Sequence, residues 1–74
     1  MNQFIVTVLI GYSYMVARIL DRMLYTKVHD EGYVEGSTCQ SYHITTKFDA
    51  DEIQEAIWAE LPQIYCSVRD PYKE

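Results

Sequence analysis

Three observations predict an α+β sandwich. Apolar residues run or alternate at a period of two over residues 4–10, 25–30, 39–48 and 63–69, the mark of strands. The period changes to 3.6 over residues 14–24 and again over 49–61, the mark of amphipathic helices. Turn residues stand at the remaining junction, Asp30-Glu31-Gly32 and Gly36-Ser37. The order is therefore strand, helix, strand, strand, helix, strand.

The first strand, residues 4–10, reads FIVTVLI. Phe4, Val6, Val8 and Ile10 point one way, and Ile5, Thr7 and Leu9 the other. Apolar side chains on both faces suit a central strand. Gly11 and Tyr12 turn the chain, and Ser13 is a plausible helix N-cap. Met15, Val16, Ile19, Leu20, Met23 and Leu24 then share one half of a helical wheel, opposite Tyr14, Arg18, Asp21, Arg22 and Tyr25. Both methionines read as core filler.

Residues 25–30 alternate as a second strand, and residues 30–38 read as a loop or ragged hairpin end. In the third strand, residues 39–48, Gln40, Tyr42, Ile44, Thr46 and Phe48 share one face. Cys39, Ser41, His43, Thr45 and Lys47 share the other, which is polar. The second helix is the best-specified element. Asp49 at the N-cap and Glu52 three residues on form a capping box, and Phe48 with Ile53 supplies the apolar staple. Pro62 stops the helix after Leu61. The last strand, residues 63–69, turns Ile64, Cys66 and Val68 inward and Tyr65, Ser67 and Arg69 outward. Asp70-Pro71 ends it, and residues 70–74 read as a frayed tail. This order is the split βαβ arrangement, a ferredoxin-like βαββαβ sandwich with both helices on one face of a four-stranded antiparallel sheet. The rival is a smaller αβ fold in which residues 25–38 are irregular.

A chain of 74 residues makes a single domain, residues 1–74, and one this short is marginally stable alone. The net charge of −5 is uneven. Residues 1–29 hold Arg18, Arg22 and Lys27 against Asp21, for +2; residues 30–74 hold ten acids against three bases, for −7. Such acidity repels nucleic-acid backbone and anionic membrane and attracts a basic protein surface. The apolar start of the chain is interrupted by Thr7 and by Gly11 to Tyr14, far short of the roughly 20 residues of a membrane span. The expectation is a cytoplasmic protein with no membrane and no direct nucleic-acid contact.

No spacing resembles a catalytic or metal motif. Cys39 and His43 on a strand stand about 13 Å apart, too far to share one ion. Cys39 and Cys66 point to opposite sheet faces, which disfavours a disulfide. The glycines form no phosphate loop. The central strands carry Ile5, Thr7, Leu9, Ser41, His43 and Thr45 where an RNA-stacking sheet would carry aromatics. No catalytic residue, metal or cofactor is expected.

Two features suggest an interaction protein. Ile5, Leu9 and Tyr65 would lie on the uncovered sheet face, an apolar patch with a polar rim suited to a homodimer. On the second helix, with Ile53 as zero and about 100° per residue, Trp58 falls at roughly 140°, between Gln54 at roughly 100° and Asp51 at roughly 160°. It sits on the shoulder of the helix as an edge cap of the core or as an anchor for a partner, ringed by Asp51, Glu52, Glu55 and Glu60. Asp51, Glu55 and Trp58 are the candidate partner-binding residues. The function expected is a small acidic protein-binding module, of the kind of phage-encoded inhibitor, anti-CRISPR proteins among them, that blocks a basic, nucleic-acid-binding surface of a larger protein. That phage-type comparison is one of class. The alternatives are a small dimeric enzyme or ligand-binding domain using His43 and Tyr65 in a sheet cavity, and a structural subunit of a larger assembly.

Overall fold

The computed structural model describes residues 1–32 and 38–71, with backbone alone at 30–32. The elements are β1 (Asn2–Leu9), a 3-10 turn (Ile10–Tyr12), α1 (Ser13–Arg22), β2 (Thr26–Gly32), β3 (Cys39–Thr46), α2 (Ala50–Glu60) and β4 (Cys66–Arg69). They form one antiparallel sheet of order β2-β3-β1-β4, with β1 and β3 in the centre. This is the ferredoxin-like arrangement. The irregular alternative for residues 25–38 fails through residue 32, because β2 pairs with β3 from Thr26↔Thr46 to Gly32↔Ser41, with a bulge after Asp30. The turn signals at Gly36-Ser37 and the tail from Tyr72 lie outside the described residues.

One face of the sheet carries the core. Phe4, Val6 and Val8 of β1 and Tyr42 and Ile44 of β3 pack against Val16, Ile19 and Leu20 of α1 and Ile53 and Ile57 of α2. Each fully buried aliphatic side chain contributes about 1.5–3 kcal/mol relative to exposure. Thr46 is the one buried polar side chain among the described residues. Its hydroxyl meets Thr26 Oγ1 at 2.8 Å and accepts from the Phe48 amide at 3.2 Å, so burial leaves no orphaned oxygen. The buried Tyr42 likewise spends its hydroxyl on the Ser13 carbonyl, 3.1 Å away, tying β3 to the start of α1.

The structure corrects several details of the sequence reading. β1 ends at Leu9, so Ile10 leaves the sheet in the 3-10 turn and lies exposed; its amide donates to the Thr38 carbonyl at 2.8 Å. Ser13 is not the N-cap. Its backbone is already helical (φ −59°, ψ −42°) and its hydroxyl donates back to the Ile10 carbonyl at 2.8 Å, because the preceding turn has begun the winding. α1 stops at Arg22, so Leu24 and Tyr25 fall in the turn that follows and are exposed. Met23 packs on the core as expected, whereas Met15 is exposed beside α2. β4 is four residues long, and Tyr65 precedes it.

α2 begins as its sequence dictates. The Glu52 amide donates to Asp49 Oδ1 at 2.9 Å and the Asp49 amide to Glu52 Oε1 at 3.4 Å. Phe48 packs against the core cluster that contains Ile53. Both helices then leave by similar turns. Two residues after each C-cap stands a non-glycine residue at φ 60°, Tyr25 after α1 and Gln63 after α2. In the second turn Pro62 precedes Gln63, and the Ile64 amide reaches back to the Leu61 carbonyl at 3.5 Å. Proline followed by a positive φ is the pattern of a type II turn.

Candidate functional site: two faces of opposite charge

The outer surface of α2 is acidic. Its sequence contains no base, and Asp51, Glu52, Glu55 and Glu60 are all exposed. They do not ring Trp58 as a group. Glu60 lies on the α1 side of the helix, where Oε2 meets Arg22 Nη2 at 2.5 Å across two exposed side chains. Glu52 is taken up by the capping box. What remains beside Trp58 is Asp51 and Glu55. The three stand at i, i+4 and i+7, on one exposed stripe.

Trp58 serves the fold and the surface at once. Its Nε1 donates to the Ile64 carbonyl at 3.0 Å, and one turn earlier Gln54 Nε2 donates to the Cys66 carbonyl at 3.3 Å. These two bonds tie α2 to the approach of β4. The indole is therefore held in place, yet 42% of the residue remains exposed. Around the N-terminus of α2 the acidity extends further than the sequence suggested. Asp49, Asp51 and Asp70 line one hollow with Asn2. Asp70 joins this group because β4 runs antiparallel to β1 and ends beside its start. That is a consequence of topology, and no local sequence signal carries it.

Among the described side chains the uncovered sheet face has the other sign. Register places Lys27, Thr45 and Gln3 in one row and His29, His43, Ile5 and Arg69 in the next. Thr7, Ser41 and Ser67 follow, then Leu9 and Cys39. Among the described side chains this face carries Lys27 and Arg69 and no acid. Ile5 is half-buried at its centre and Leu9 is exposed near one end. Thr7 Oγ1 and Ser41 Oγ lie 3.0 Å apart between them. Tyr65 is exposed at the end of the sheet where Leu9 lies, outside β4.

His43 Nε2 lies 3.0 Å from Gln3 Oε1. His43 faces Ile5, whereas Tyr65 precedes Cys66, the partner of Val8. Four residues of β1 separate the two levels, about 13 Å along the strand. His43 and Tyr65 are thus held apart, and the geometry gives the sheet-cavity alternative no shared site. Cys66 faces the core side, where burial pushes its thiol up from the usual 9.0 to about 11. Cys39 is half-buried on the opposite face, so strand parity separates the two thiols. No three His, Cys, Asp or Glu side chains converge on one point among the described residues. No helix of the described residues is long and apolar enough to cross a membrane.

Sequence reasoning missed one corner of this face. Tyr25 at φ 60° sends its ring toward the end of β3, and Lys47 Nζ stands 4.9 Å from the ring centroid. A bulky residue in a turn gives no sequence signal for positive φ, unlike glycine or asparagine. The shared parity of Lys27, Thr45 and Lys47 was the available clue. No family model, curated protein or solved structure matches this chain, so the fold and these surfaces carry the functional argument alone.

Proposed function

We propose that this protein is a small protein-binding module that acts through the outer face of α2. A fixed, part-exposed Trp58 is the anchor, and Asp51 and Glu55 supply the charge. The observation that carries the reading is the state of Trp58. Its polar atom is satisfied within the chain at Ile64, so a partner meets an indole that needs no further hydrogen bond and has little motion left to lose. The acids beside it have no ion-pair partner among the described residues, so their field extends into solvent. A basic surface is drawn to such a patch at an enhanced rate. A module of this kind inhibits a nucleic-acid-binding protein by occupying its basic groove, as phage-encoded anti-CRISPR inhibitors do.

The uncovered sheet face remains the place for self-association through Ile5, Leu9 and Tyr65. A two-fold face-to-face pair would bring Lys27 of both copies to one interface. Such a dimer tightens as salt is added, whereas binding through α2 weakens.

The test is capture of a partner from a bacterial lysate, followed by titration of the purified partner with wild type and variants. Asp51→Lys/Glu55→Lys weakens binding about tenfold or more and flattens its salt dependence. Trp58→Ala costs about 2 kcal/mol or more, and Trp58→Phe, which keeps a ring but loses the Ile64 bond, falls between. Equal affinity for wild type and all three variants refutes the assignment.

A further inference from the structure

We propose that the corner of the uncovered sheet face around Tyr25 is a binding site for a small anion that carries an apolar or aromatic body. A cavity of about 530 Å³ lies there, lined by Met1, Tyr25, Thr26, Lys27 and Thr45. That size is within the usual range for small-molecule sites.

Three independent features give the cavity its chemistry. Its walls are mainly apolar, and Met1 and Tyr25 are among the residues that line it. Lys27 stands in the wall, Lys47 lies over the ring of the lining residue Tyr25, and no acid lines it among the described residues. An anion placed there is attracted by the Lys27 ammonium in the wall. The third feature is the backbone of Tyr25. It holds φ 60° at a turn position where glycine would carry no Cβ strain, and the residue is 64% exposed. Burial of the ring therefore does not explain why a bulky side chain occupies a strained position. Backbone outliers of this kind gather at ligand clamps. Here the outlier directs an aromatic ring to the cavity and to Lys47. The site is remote from the α2 stripe and stands or falls separately from it.

Amide shifts of the isotope-labelled protein at low salt provide the assay, with three anions as probes: indole-3-acetate, adenosine monophosphate and dodecanoate. Indole-3-acetamide and adenosine supply the body without the charge, and inorganic phosphate the charge without the body. At least one of the three anions binds about tenfold tighter than its uncharged counterpart (for dodecanoate, dodecanol) and than phosphate, with shifts concentrated at Tyr25, Thr26, Lys27 and Thr45. Which of the three binds tightest identifies the source as an aromatic acid, a nucleotide or a fatty acid. Lys27→Gln and Lys47→Gln each weaken that binding several-fold, and both positions are exposed, so the fold is retained. Tyr25→Gly removes the ring while relaxing the backbone and abolishes the preference for the apolar body. Equal binding of charged and uncharged probes overturns the proposal, as do shifts centred on another surface or no saturable binding by any of the three.

Discussion

Substituting Tyr25 and Gln63 by glycine and by alanine measures how much strain each helix exit stores. Both residues hold φ 60°, where a Cβ crowds the following carbonyl and costs about 1–2 kcal/mol. Glycine removes that cost but gains conformational freedom in the unfolded chain, a loss of about 0.5–1 kcal/mol. At Gln63, which is exposed, the net expectation for glycine is a gain of roughly 0.5–1 kcal/mol. Alanine keeps the Cβ and changes stability little. At Tyr25 the ring also matters, because its exposed cation–π contact with Lys47 is worth about 0.5–1 kcal/mol. Tyr25→Gly is therefore close to neutral and Tyr25→Ala loses about 0.5–1 kcal/mol, leaving glycine ahead of alanine by about the relief of strain. In a domain of this size 1 kcal/mol moves the melting temperature by about 4–8 °C, so thermal and urea unfolding resolve the order. Glycine is less stable than alanine in the middle of a helix or strand, and the reversed order at both exits is the signature sought. Alanine equal to or better than glycine at both positions refutes the strain argument. At Tyr25 alone, that result would remove one support of the proposed anion site.

Two further outcomes follow from the same geometry. Asp49→Ala removes the acceptor of the Glu52 amide while keeping the backbone amide that donates to Glu52 Oε1, so it costs about 1 kcal/mol and lowers the melting temperature by several degrees. An unchanged melting temperature would show that packing of Phe48 and Ile53 alone fixes the start of α2. At pH 8 a thiol reagent modifies Cys39 well before Cys66, since burial raises the Cys66 value to about 11 and suppresses its thiolate. The raised value also has a stability consequence. The folded state favours the neutral thiol, so this contribution is complete below pH 9, the unfolded value, and is lost as pH rises through about 11. Urea titrations of wild type and Cys66→Ala between pH 8 and 11 compare the slopes, and equal slopes refute this assignment.

The sequence was most legible where local chemistry and tertiary packing agree. The alternation of β1 and β3, the stripe of Val16, Ile19 and Leu20, and the Asp49–Glu52 box each demand one structure locally, and the topology is built from them. Errors collected at the ends of elements. Ile10 and Leu24 continue a hydrophobic pattern that the backbone does not follow, because a 3-10 turn and a helix exit intervene. Hydrophobicity says nothing about those backbone turns. Trp58 was placed correctly on the shoulder of α2, but its bond to Ile64 depends on where the next loop returns.

Charge was the feature most changed by folding. As a sum, −5 describes an acidic protein that repels anions everywhere. In the fold, α2 gathers acids onto its outer surface, while strand parity sends Lys27 and Arg69 to the opposite face. At physiological salt, screening acts over about 8 Å, while packed layers of secondary structure are separated by about 10 Å. Each face therefore presents largely its own sign to an approaching partner. On the proposed readings, the acidic helix selects a basic macromolecular surface and the sheet corner a small anion. A net charge alone excludes neither.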